Sequence, residues 1–136
     1  MIQRIQSIWL LVASVCAAFT FKFSFYSGSK PEKNDTQYLV ASSNFLLLIF
    51  TAALVAGCLI IIFLYKERKR QLWLTIATAV LSVLNLIIYF SQIKKFSGGT
   101  ISLSAVLALV IPVLLVLAAR GIWKDEKLVK SLDRLR

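Results

Sequence analysis

Apolar residues in this chain fall into four long runs separated by short polar breaks: residues 5–26, 38–65, 72–93 and 101–123. At a rise of 1.5 Å per residue, about twenty residues of α-helix cross the roughly 30 Å hydrocarbon core of a bilayer. None of the four runs has a sustained period-two alternation, so helices are expected rather than barrel strands, and a helix also satisfies its own backbone in lipid. Residues 27–37, with Gly28, Pro31, Asn34 and Asp35, read as a polar loop. The second run ends abruptly at Lys66, Glu67, Arg68, Lys69 and Arg70, and the third ends at a short turn around Gly98 and Gly99. Pro112 sits inside the fourth run, where it removes a helical hydrogen bond and predicts a kink near Ala108–Pro112. The pattern therefore predicts an all-α membrane protein. Residues 1–123 form a four-transmembrane-helix bundle, and residues 124–136 form a short, charged, amphipathic cytoplasmic C-terminal helix.

Composition agrees with lipid as the solvent. Of 136 residues, 59% are hydrophobic and 16% charged, against about 45–50% and about 25% in soluble domains. A net charge of +10 would suggest nucleic acid in a soluble protein. Here the bases cluster just outside the apolar runs, so they set topology and meet anionic headgroups, and no nucleic-acid partner is expected. Arg4 followed by an apolar run resembles a signal peptide, but no small-x-small cleavage site follows it and Val15 precedes Cys16, so an uncleaved helix is expected.

Counting Lys and Arg on the two sides of the four runs gives eleven on the side of Arg4, the 66–70 cluster and the C-terminal tail. The side of Lys22, Lys30, Lys33, Lys94 and Lys95 has five. The positive-inside rule then places both termini in the cytoplasm. Trp9, Tyr26, Tyr38, Tyr65, Trp73, Tyr89 and Trp123 fall near the ends of the runs, where amphipathic rings favour the membrane interface. Lys22 lies inside the first run but four residues from its end, within reach of the interface by snorkelling.

Little in the chain points to catalysis. The six acids, Glu32, Asp35, Glu67, Asp125, Glu126 and Asp133, all lie outside the apolar runs and read as solvated surface charge. A proton-coupled transporter usually keeps a carboxylate or histidine at membrane depth, and the chain has no histidine. Cys16 and Cys58 lack metal-ligand spacing and read as small apolar packing residues. No catalytic residue, cofactor or metal site is expected.

The most informative pattern is on the third run. Thr75, Thr78, Ser82, Asn85, Tyr89 and Gln92 are spaced 3, 4, 3, 4 and 3, which aligns them in one seam along a helix. Lipid offers such groups no hydrogen bonds, so the seam should face other helices, as interhelical glue, or else a water-filled path in which Asn85 would be the main coordinating residue. Small residues at spacing four, Ala13 and Ala17, Ala52 and Ala56, and Ala53 and Gly57, favour close helix approach. In the tail, Leu128, Leu132 and Leu135 share one helical face, beside Val129, and form a possible docking stripe. Glu126 and Lys130 stand in the favourable order for a helical ion pair.

Both ends of the chain resemble a known family. The opening Met1-Ile-Gln-Arg-Ile-Gln-Ser7 leading into Ile8-Trp-Leu-Leu, and the closing Lys124-Asp-Glu-Lys-Leu-Val-Lys-Ser-Leu-Asp-Arg-Leu-Arg136, are similar to those of small bacterial integral membrane proteins catalogued as domain of unknown function 4293. The resemblance implies a four-helix inner-membrane protein and supplies no activity. The expectation is a non-catalytic accessory or scaffolding subunit whose partners are the lipid bilayer and other membrane proteins or itself as a homo-oligomer. A small-solute carrier or channel using the third-helix seam is the first alternative, and a lipid-active membrane enzyme the second.

Overall fold

The computed structural model describes residues 3–30, 33–64 and 66–133. Four helices dominate: α1 (Gln3–Phe19), α2 (Phe45–Phe63), α3 (Arg68–Ile93) and α4 (Ala105–Asp133). Each packs on its sequence neighbours, and α1 closes the ring against α4. The helices α2, α3 and α4 are long and apolar enough to cross a membrane, while α1 is a shorter apolar helix. At 1.5 Å per residue its 17 residues reach about 25 Å.

The first two helices depart from the boundaries expected from hydropathy. The first helix stops at Phe19 rather than near residue 26, and the second starts at Phe45 rather than Tyr38. The intervening chain forms strands β1 (Tyr26–Lys30) and β2 (Lys33–Leu39), which pair antiparallel. A third strand, β3 (Gly98–Ile101), occupies what reads as a turn and pairs with β1, giving the order β2-β1-β3. A small sheet therefore caps one end of the helices, where a loop and a turn were expected. Gly28 and Gly99 stand opposite each other in this sheet. A Cβ at Gly28 would collide with the Gly98 carbonyl and one at Gly99 with that of Ser27, and either would fall 2.9 Å from Cε1 of Tyr26, so the glycine pair makes room for both the strand pairing and the tyrosine ring. Tyr26 is consequently buried instead of serving as an interfacial anchor.

Tyr89 is also buried, its ring stacked on Phe25 at 4.5 Å between centroids. Tyr38, Trp73 and Trp123 are exposed, and Tyr65 lies outside the described residues. Lys22 sits in the turn following α1 and is exposed, so it has no need to snorkel out of a helix. The fourth helix runs without interruption through Pro112 into the tail as far as Asp133.

Two apolar cores hold the helices together. One joins Leu10, Ala13 and Ala17 of α1 to Leu54, Cys58 and Ile61 of α2 and Ile111, Leu114, Leu115 and Ala118 of α4. The other lies under the sheet and joins Phe25, Tyr26, Leu39, Leu47, Tyr89 and Ala105. Ala13 and Ala17 are fully buried in the first core, whereas Ala52, Ala53 and Ala56 are exposed. Of the small residues on α2, Gly57 makes the close approach, since a Cβ there would fall 2.8 Å from Thr78 Cγ2. Cys16 and Cys58 are free thiols.

Candidate functional site

The inward face of α3 is polar. Its buried residues are Gln71, Thr75, Thr78, Ser82, Asn85 and Tyr89, so five of the six seam residues face the interior and Gln71 extends the row by one turn. The sixth, Gln92, is half-buried and lines a small recess at the sheet end with Gln37, Asn44 and Lys95. Most of the seam satisfies itself locally. Thr75 Oγ1 donates to the Gln71 carbonyl at 2.7 Å, Thr78 Oγ1 to those of Leu74 and Thr75 at 3.0 Å, and Ser82 Oγ to that of Ala79 at 2.6 Å. Such back-bonding removes the hydroxyl protons from circulation and leaves methyl and methylene groups to pack on α2.

Two side chains reach across. Asn85 Nδ2 donates to Thr51 Oγ1 on α2 at 3.3 Å, and Gln71 Nε2 donates to the Ile61 carbonyl, also at 3.3 Å. Asn85 Oδ1 and the Tyr89 hydroxyl have no hydrogen-bond partner among the described protein atoms. The Thr20 and Thr51 hydroxyls lie beside that of Tyr89. These four residues form a buried polar cluster. The Phe25 ring stacks on that of Tyr89 beside it.

The opposite, basic end of the bundle is tied by a second polar network that the sequence reading missed. Asp125 is 7% exposed, not a solvated surface charge. Its Oδ2 accepts a hydrogen bond from Gln6 Nε2 at 2.6 Å, linking α1 to α4. The Asp125 carbonyl accepts from Arg68 Nη1 at 3.4 Å, linking α4 to the start of α3. Gly121, one turn before Asp125, makes the approach possible: a Cβ there would fall 2.8 Å from Gln6 Cγ. The two end motifs, 119 positions apart, thus meet in one buried contact. A glutamine at position 6, where the first apolar run begins, and a glycine one turn before an acid were the available signals.

Beyond Asp125 the tail is helical. Lys130 Nζ and Glu126 Oε1 pair at 2.8 Å, as their spacing anticipates. Leu128 and Leu132 are 52% and 66% exposed, so the described part of the stripe is uncovered, and Leu135 lies outside the described residues. Among the described residues no group of three His, Cys, Asp or Glu side chains is arranged to hold a metal ion.

Three helices long and apolar enough to cross a membrane, with a polar row turned inward, define a helical integral membrane protein. The chain belongs to the family described as Domain of unknown function (DUF4293), whose model matches residues 2–135. Neither a curated protein nor a solved structure matches the chain.

Proposed function

We propose that the protein is a non-catalytic accessory or scaffolding subunit of an assembly in a bacterial inner membrane, crossing it four times with both termini in the cytoplasm. The observation that carries this reading is the helical extension of α4 beyond the fourth apolar run. The helix continues ten residues past Trp123 to Asp133, and its base is held to α1 and α3 through Asp125. It presents Leu128 and Leu132 bare. Leucines repeated along one face of an amphipathic helix suit the groove of a partner protein. The mixed charge beside them, with Glu126 and Lys130 paired, suits a protein surface better than a purely anionic one. The seam adds indirect support, because hydroxyls bonded to their own helix make poor ligands for a transported solute.

The test is to change Leu128, Leu132 and Leu135 together to serine and isolate the protein in mild detergent. The expected result is loss of a stoichiometric co-purifying protein, with the melting temperature of the helical core unchanged. Retention of the same partners by the variant overturns the reading.

A further inference from the structure

We propose that the α3–α4 face holds one anionic phospholipid of the leaflet at the basic end, its acyl chain in a groove and its phosphate at Arg120. The groove has a volume of about 550 Å³, and its walls include Leu72, Ile76 and Val83 of α3 and Pro112, Val116 and Trp123 of α4. Two small residues, Ala79 and Ala119, form its floor. Lys69, Leu72, Ile76, Ala79 and Val83 recur at spacings of 3, 4, 3 and 4 and so form one stripe along α3.

Length identifies the occupant as a single acyl chain. From Leu72 to Leu84 the groove follows α3 for about 18 Å, and from Pro112 to Trp123 it follows α4 for about 16 Å. Half of a hydrocarbon core is about 15 Å. The groove thus starts at the basic end and stops near the bilayer midplane, matching one leaflet. A partner helix crossing the whole membrane would need a groove about twice as long.

Charge identifies the headgroup. Among the described residues Arg120 is the only charged one lining the groove, which it shares with Trp123 at the basic end. Lys69 extends the α3 stripe one turn outward. Lys127 lies 6.0 Å from the centroid of Trp123. The neighbouring acids with described side chains are engaged elsewhere: Glu67 pairs with Arg70, Glu126 with Lys130, and Asp125 accepts from Gln6. Among the described residues no carboxylate pairs with Lys69, Arg120 or Lys127. A guanidinium at the end of an apolar channel offers a fork of donors to a phosphate, and the flanking lysines favour a headgroup with net negative charge.

The test uses Trp123 as a reporter. Trp9 and Trp73, both solvent- or lipid-facing, are replaced by phenylalanine in the full chain. The protein is then reconstituted in phosphatidylcholine vesicles containing a minor fraction of acyl-brominated lipid. Brominated phosphatidylglycerol is expected to quench Trp123 several-fold more strongly than brominated phosphatidylcholine at the same fraction. Arg120→Gln, an exposed substitution that leaves the packing intact, is expected to abolish the difference. Ala119→Leu, which fills the floor, is expected to weaken quenching by both lipids. Equal quenching in the parent protein, or a preference that survives Arg120→Gln, overturns the proposal. So does cross-linking of Val80 to a second copy of the chain, which would make the groove a self-association face.

Discussion

At the scale of single residues, the junction of Gln6, Gly121 and Asp125 has the sharpest consequences. A buried acid keeps its place only when its oxygens are hydrogen-bonded, and Gln6 supplies that bond at 2.6 Å. Gly121→Ala would put a methyl group 2.8 Å from Gln6 Cγ and push the amide away, leaving Asp125 without that donor. A loss of about 1–3 kcal/mol is expected, read as a lower melting temperature in detergent. Gln6→Ala should destabilise by a similar amount, and the double variant should cost no more than Gln6→Ala alone, because both changes break the same contact. Additive losses would show that Gly121 acts through something other than Gln6.

At the scale of elements, α3 is unusual in turning polar groups inward while α1, α2 and α4 supply the apolar core. Its association with α2 rests on close approach at Gly57 and on the bonds from Asn85 to Thr51 and from Gln71 to the Ile61 carbonyl. Interhelical bonds of this kind contribute about 0.6 kcal/mol on average and about 1.7 at most. Asn85→Leu should therefore lower thermal stability in detergent by about that amount, and Thr51→Val should give a similar, non-additive loss. Unchanged stability, together with loss of binding or flux of a small polar solute, would instead favour a polar path running past the unpartnered Asn85 Oδ1 and Tyr89 hydroxyl. The sheet is the other element-scale feature. Its central strand β1 reads Tyr-Ser-Gly-Ser-Lys, too polar and glycine-rich to signal a strand in the sequence by itself.

At the scale of the whole molecule, the sheet and the basic junction mark opposite ends of one bundle. Single-cysteine labelling in a Cys16→Ser, Cys58→Ala background should reach Arg70 and Arg136 from the cytoplasmic side only, and Asn34 and Gly98 from the opposite side only. This outcome requires α1 to cross the membrane despite its 17 residues, a length at the lower limit for a span. Labelling of Gly98 from the cytoplasm would contradict both the four crossings and the inference from Lys and Arg counts.

Periodicity and composition alone determined the helical membrane class, the polar row on α3 and the Glu126–Lys130 pair. Each depends on spacing within one segment, and a helix converts spacing directly into direction. What needed tertiary structure depends on segments far apart in the chain. Glycines at 28 and 99 read as turn residues until β1 and β3 lie side by side and Tyr26 covers both. Asp125 reads as surface charge until Gln6 arrives from the other end of the chain. The groove between α3 and α4 is lined jointly by Ala79 and Ala119, which stand forty positions apart in the chain. No local pattern encodes which small residues will meet, because that is set by how whole helices pack.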